Sequence, residues 1–568
     1  MSCWLPRVWL NRQFVALLVL NCWSTSVIQR FTGDNLPLER LLVYLMGLVT
    51  DLVSMIGVPV VLAIPYIRIY DPTRGSVLRS YWYDDAWLIN MVNESQIMLV
   101  TSVLDMISKL IFALTLLMTF MVVKSLLRPE TVGANAVVPI ALSVSPIGES
   151  PVELFSSRAR ATTTPVDQSS PPPRETIFDK VSVARKTVVG KASTVRPSQV
   201  TLARDGSSVR QHKLSAAVAS AFSGPRYFAF QDKLVHWGHR LFLLWGLIIV
   251  IAQIQADQLP EPELCGLRVR PWFQSKPSCS LLVVDCYKLK MTGAVDELKS
   301  AMDKMNQPIM AHMVFRHCPN LQMPPNLKLL PRLLGLKVYN STLTRWGPEA
   351  PLTNTNNPML IFLFLVRVNM TEIPQGLQTG DYPKRMTDVE FSVTNLTTLP
   401  DDLDTKWPKG MVLVLEKAKF NGVPDVLKRM QIGYLGFGEN NVTQVPIEIF
   451  TNPYARTIWL NGNPISRLSD ASVPSTGLVK VRMVSTNVSA ETLPPWVTST
   501  LLSRATLLAA GTPLCAKIAK LKAAGTDMSA LGEPLVKVYK NVVCTPFVGD
   551  VFTYYPLSLE NKFNVGVS

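Results

Sequence analysis

The sequence predicts an N-terminal α-helical transmembrane region followed by a C-terminal α/β solenoid, with short parallel strands and an irregular convex side. Three observations carry this reading. Apolar residues, 48% of the 568-residue chain, concentrate in a few long runs. Basic residues gather between two of those runs. From about residue 280 an apolar pattern recurs with a nearly constant period.

The apolar runs come first. A bilayer span takes roughly 20 apolar residues. Residues 41–67 and 97–123 reach that length, and 234–256 does so if His239 and Arg240 snorkel to the interface. The N-terminal segment 1–40 holds a shorter run, 14–28. It reads as a weak span, an interfacial segment or a signal peptide, since Arg7 and Arg12 precede it.

Charge then sets orientation. The formal net charge is +15, and residues 124–240 hold 16 Lys and Arg against 8 Asp and Glu. A basic connection of this kind stays on the cytoplasmic side. The outer loop 68–96 and everything after residue 256 are then expected outside, whether or not 14–28 spans. All six N-x-[ST] sequons, at Asn93, Asn340, Asn369, Asn395, Asn441 and Asn487, fall on this outer side. So do six of the eight cysteines, as suits an oxidising compartment.

Three charges lie within the spans: Asp51, Asp105 and Lys109. Intramembrane charges default to a functional hypothesis. Asp105 and Lys109 are four apart and share a helix face. Asp51 reaches a similar depth if the two spans are antiparallel. Structural pairing is therefore favoured over an ion path.

The loop 124–233 is basic and rich in Ser, Thr and Pro, without sustained periodicity, and reads as disordered. Thr164, Ser170 and Thr187 are candidate sites for a cytoplasmic kinase, and Pro171–Pro173 could seat a proline-reading partner. The block lacks the folded, aromatic-lined basic face that nucleic acid requires, so no nucleic acid is expected.

The repeat is written L-x-L-x-x-N-x-L-x-x-L. Its clearest copies are Ile458, Leu460, Asn463, Ile465, Leu468 and Leu435, Phe437, Asn440, Val442, Val445. Other copies start at Leu281, Met313, Leu336, Leu363, Val389, Leu413 and Val481. A last copy runs Ala505, Leu507, Ala510. The "N" positions recur every 22–32 residues. This pattern resembles the leucine-rich-repeat (LRR) family, with about ten repeats over 281–515. The spacing carries the resemblance, since only two copies keep Asn.

The resemblance implies a short parallel strand per coil, and coils that must stack because none buries its own apolar face. It also implies an N-cap over 257–280, a C-cap and tail over 516–568, and capping disulfides Cys265–Cys279 and Cys515–Cys544. Cys286 and Cys318 occupy "N" positions and read as buried thiols, with a bridge between adjacent coils as the alternative.

Residues interleaved with the strand leucines should face the concave surface. The candidate ligand-facing strip is Arg316, Tyr339, Phe364, Arg367, Glu390, Glu416, Lys417, Glu439, Trp459, Asn461 and Arg482, with His317 and Lys337 in the same phase. Mixed aromatic and charged groups suit a protein or peptide partner. Asn369, Asn395, Asn441 and Asn487 share one phase and would line one edge, whereas Asn340 falls on the strip.

No nucleophile elbow, P-loop, HExxH or kinase motif set appears, so no enzyme and no cofactor are expected. Repeat phase accounts for His317 and Cys318 near His312, and no metal is expected. Gly433–Gly438 lies within a strand, where a phosphate cradle does not form.

The expected function is a multi-span protein of the plasma membrane that presents an extracellular LRR domain to an unknown protein or peptide ligand. It would be receptor-like or adhesive, non-catalytic and kinase-less, with helices that could oligomerise. It departs from LRR receptor-like proteins in carrying its spans before the repeats. The alternative is a channel resembling the volume-regulated anion channels, although a span between 255 and 280 is missing. A purely structural surface protein is a third reading.

Overall fold

The computed structural model describes residues 8–126 and 225–563, except 34, 74, 101–102, 471–474, 528–530 and 546–552. One unit comprises residues 1–127 and 235–568, and residues 128–234 form another. The candidate phosphorylation and proline sites lie outside the described residues.

Helix α1 spans Val8–Thr32, so the weak run 14–28 is the middle of a 25-residue helix. Helix α2, Leu36–Leu52, passes through a widened turn, Val53–Gly57, into α3, Val58–Ile69. Pro59 has no N–H to offer the carbonyl four residues back, and the helix widens just ahead of it. A short helix α4, Arg79–Trp82, precedes α5, Asp85–Met98. Helices α6, Val103–Leu126, and α7, Pro225–Gln258, complete the set. Among the described residues, three helical stretches are long and apolar enough to cross a membrane: Val8–Thr32, Leu38–Ile69 and Trp237–Gln258. Helix α6 contributes a shorter apolar stretch, Lys109–Met121.

The run 97–123 is not one helix. Leu99 is extended at the end of α5, and Lys109 Nζ donates to its carbonyl at 2.6 Å. The connection 68–96 is also not a bare loop, because α5 occupies most of its second half.

The solenoid begins with β1, Cys265–Val269, antiparallel to β2, Ser278–Asp285. From β2 every strand pairs in parallel with the next: β3 His312–Arg316, β4 Gly335–Arg345, β5 Phe362–Asn369, β6 Asp388–Thr394 and β7 Val412–Glu416. The series continues through β8 Tyr434–Gly436, β9 Thr457–Trp459, β10 Lys480–Arg482, β11 Thr506–Leu508 and β12 Val542–Val543. Core leucines align across coils, as in Leu336↔Leu363 and Leu363↔Val389.

Two copies shift phase. Leu282 pairs with Met313 and Val284 with Phe315, so these, not Leu281 and Val283, are the core residues of the first coil. Cys286 already starts a helical turn there, leaving one residue between Val284 and the "N" position instead of two. At the far end Val481 pairs with Leu507, so the last copy is Leu507, Ala509, Thr512 rather than Ala505, Leu507, Ala510.

Each coil from the second onward turns its corner in the left-handed region, one residue before the "N" position: His317, Asn340, Arg367, Val393, Lys417, Glu439, Gly462, Ser485 and Gly511. The following side chain then closes the corner. Asn440, Asn463, Thr486 and Thr512 donate to the carbonyl three residues back at 3.2, 3.0, 2.9 and 2.6 Å. Asn440 and Asn463 also reach Leu415 and Phe437 carbonyls of the preceding coil, each at 2.8 Å.

Disulfides Cys265–Cys279 and Cys515–Cys544 lie at the two ends of the solenoid. Cys286 and Cys318 are not buried thiols but a third disulfide, between adjacent coils. The solenoid is clamped to the end of α7. Arg268 donates to the Ala256 and Leu259 carbonyls at 3.0 and 2.6 Å. Trp272 donates to Gln253 at 3.1 Å, and Arg270 pairs with Asp257 at 3.1 Å. Arg12 of α1 reaches the same Asp257 at 3.6 Å.

Candidate functional site: the concave face

The concave face is assembled from the outward residues of β2–β10. Two remote segments of the same chain lie on it: α4–α5, and a C-terminal strap, Thr553–Phe563, that ends in a helical turn from Leu557. This overturns the expectation of an open strip.

The first cluster centres on Asp85, in the first turn of α5. Its carboxylate lies 2.9 Å from Arg316, 3.1 Å from His312 Nε2 and 3.4 Å from Lys337. His312 Nδ1 is held 2.9 Å from the Gly335 carbonyl, which orients the ring. Lys337, 1% exposed, also pairs with Glu560 of the strap, and the Tyr555 hydroxyl donates to Glu560. Burial pushes the Asp85 carboxyl up, but Lys337, His312 and Arg316 outweigh it and hold Asp85 well below the usual carboxylate range.

The second cluster is aromatic and acidic. Tyr83 stacks on Phe364 at 5.4 Å and meets Tyr555 edge-on at 5.0 Å. Its hydroxyl donates to Glu390 at 2.6 Å. Arg79 donates to the Tyr83 hydroxyl at 3.0 Å and lies 3.8 Å over the Tyr554 ring. Glu416 accepts the Tyr554 backbone N–H. Gly436 on the next strand leaves room for it, since a Cβ there would stand 3.2 Å from Glu416 Oε1. Burial pushes Glu390 up to about 7, partly offset by Tyr83 and Arg79. Burial, with the charge of Glu390, also raises Asp388 and Glu416. Burial thus opposes the ionised form of all three acids.

At the N-terminal edge, Ile89 of α5 packs against Leu281 and Val314. Asn93 exchanges hydrogen bonds with Ser280 at 3.0 and 3.1 Å and is fully buried. A glycan on Asn93 is incompatible with this packing, contrary to its sequon. Asn340, Asn369, Asn441 and Asn487 are exposed, and Asn395 is half-buried beside Asn369.

Of the predicted strip, Arg316, Tyr339, Phe364, Glu390, Glu416, Trp459 and Arg482 are buried rather than open. Phe364, Glu390 and Glu416 meet Tyr83 or the strap directly. Trp459 meets the Tyr554 ring at 5.1 Å, and Arg482 lies 3.9 Å over Trp459. Arg367 donates to the Tyr339 hydroxyl at 3.2 Å. Lys417 and Glu439, at the left-handed corners, pair at 2.8 Å. Asn461 is internal and accepts the Val484 N–H at 2.9 Å. Asp51 and Lys109 are not in this site, and the Asp105 side chain lies outside the described residues.

Sequence reasoning missed Arg79, Tyr83, Asp85, Tyr554, Tyr555 and Glu560. The available signal was the aromatic density of residues 81–87 and of the Tyr554–Tyr555 pair, because connecting segments that carry large rings must bury them somewhere.

The fold and this site define a leucine-rich-repeat solenoid carried behind apolar helices. No protein-family model matches the chain, and no curated protein does. Among solved structures it is similar to the crystal structure of a TLR13–ssRNA13 complex, at 16% identity and TM-score 0.30 over 39% of this chain and 30% of that one. It is also similar to a plant ice-binding protein, at 15% identity and TM-score 0.29 over 47% of this chain and 86% of that one. An LRR protein of Leptospira interrogans matches at 13% identity and TM-score 0.27 over 41% of this chain and 71% of that one.

Proposed function

We propose that this is a membrane-anchored, non-catalytic recognition protein, receptor-like or adhesive, whose LRR solenoid stands on the extracytoplasmic side of the plasma membrane and binds a protein or peptide. The observation that carries the reading is the concave face itself. It already holds two polypeptide segments through aromatic stacking, buried ion pairs and a carboxylate that grips a backbone N–H.

Helix ends support the topology. Helix α6 starts beside Leu99, and α7 ends at the solenoid clamp. A pair of spans entered and left on the solenoid side puts the basic connection on the other side, where the positive-inside tendency wants it. Three disulfides in the solenoid fit an oxidising compartment. A channel of the volume-regulated type keeps its inner loop and its repeats on one side, which this arrangement of ends opposes.

The test is the glycosidase mass shift of the full chain from a glycosylating cell. Asn369→Gln, Asn441→Gln and Asn487→Gln are each expected to remove one glycan, and Asn93→Gln none. No shift in any variant, with the repeats reached by antibody only after permeabilisation, overturns the proposed side.

A further inference from the structure

The strap differs from the coils it lies on. It adds no strand to the sheet, whose path ends at β12. Its anchor Tyr555 belongs to a small cluster with Tyr83, Tyr339, Phe362 and Phe364, separate from the continuous solenoid core. Tyr554 meets Arg79, Trp459 and Glu416, and side chains at the end of the strap add further contacts. Glu560 pairs with Lys337, Arg316 lies 3.5 Å over the Phe563 ring, and Lys562 reaches Asp84 at 3.1 Å.

The groove also offers more than the strap uses. Glu416 Oε1 is a buried acceptor with no hydrogen-bond partner among the described residues, whereas Glu390 is shared between Tyr83 and Asp388. Both carboxyl groups belong to fully buried residues on the floor of the groove. Glu416 Oε1 is open to one more donor than the strap supplies. A side chain that grips a main-chain N–H, as Glu416 does, reads backbone rather than one particular sequence.

We propose that the concave face is a peptide-binding groove and that Thr553–Phe563 is its exchangeable self-ligand. The class of ligand follows from the contacts: a peptide with an aromatic residue in the Tyr555 position, followed by a helical turn that brings an acid five residues later to Lys337. This rests on the recognition reading and names the partner of that same site. Peptide exchange is independent of which side of the membrane the repeats occupy, so the glycan result and the exchange result can fail separately.

The probe is a fluorescent synthetic peptide of residues 553–563, titrated onto the full chain in detergent. On the wild type the tethered strap competes, and weak binding is expected. On the variant Tyr555→Ala/Glu560→Ala the groove is vacated, and the peptide should bind at least about tenfold more tightly. Adding Lys337→Met to that variant should cost about tenfold or more. A second measurement keeps the wild type intact. Unlabelled peptide in large excess should raise hydrogen exchange at the Leu557, Leu559 and Asn561 amides of the strap, which an isotopically distinct peptide leaves readable. Equal peptide affinity for all three chains overturns the proposal. So does unchanged strap exchange at peptide excess together with no binding to the vacated variant.

Discussion

The Tyr83 hydroxyl donates to the Glu390 carboxyl at 2.6 Å across 307 residues of sequence. This bond joins the segment between two apolar helices to the middle of the repeat sheet. With Asp85 and Arg316 three strands away, it makes the solenoid and the segment between the apolar helices one packed body. The predictions follow from that coupling.

Asp85→Ala removes the carboxylate shared by His312, Arg316 and Lys337. Taking one partner from a buried charged cluster costs about 3–5 kcal/mol. Helix α5 is expected to lose hydrogen-exchange protection while strands β7–β11 keep theirs. Unchanged protection over residues 85–98 would show that the cluster does not hold the helix.

Covering of the concave face should depend on pH. Burial puts the folded-state pKa of Glu390 at about 7 and raises Asp388 and Glu416 as well. An acid whose pKa rises on folding stabilises the folded contact below its unfolded value and loses that contribution as pH climbs through the folded value. Asp85 has the opposite sign, contributing above about pH 4 and failing only in stronger acid. The groups facing Glu390 are Tyr83, Arg79, Asp388 and Lys337. The thermal midpoint should therefore fall from about pH 6 to pH 8, and Glu390→Gln should flatten that limb. A midpoint that rises over this interval contradicts the assignment.

Val393 is a β-branched residue held at φ 61° in the corner of its coil. Strain of this kind costs of order 1–3 kcal/mol, and Asn tolerates the left-handed region better. Val393→Asn should raise stability by about 1 kcal/mol, read as a higher thermal midpoint. A drop would mean that the Val393 side chain contributes more by packing than its backbone costs.

Disulfide Cys286–Cys318 closes 32 residues and Cys265–Cys279 closes 14. Chain entropy makes the longer loop worth more, with each bridge worth about 3 kcal/mol or somewhat above. The denaturation midpoint of Cys286→Ala/Cys318→Ala should fall further than that of Cys265→Ala/Cys279→Ala. The reverse order would assign the capping bridge a role beyond loop closure.

Much of the fold was readable because it is local. Leu336, Leu363, Val389 and Leu413 carry the alternation that makes a strand, and their spacing sets the coil. The same phase separated Glu390 and Glu416 from the core leucines. It failed at the first and last coils, where Cys286 starts a helix early and Thr512 takes the corner two residues late. The run 97–123 misled in another way, since apolar content does not reveal the chain break at Leu99.

By itself the sequence determined the repeat, its parallel strands, two of the three disulfide pairs and the apolar helices. Each of these follows from periodicity or from a resemblance carried by spacing. Only the tertiary structure decided what lies over the concave face. Alternation along a strand says which side chains leave the core, but it is silent on whether water or another segment meets them. Asp85 and Lys337, or Tyr83 and Glu390, find each other only once the coils have stacked and the chain has folded back. Desolvation then gives those charges and rings their strength, and desolvation is a property of the assembled surface rather than of any stretch of sequence.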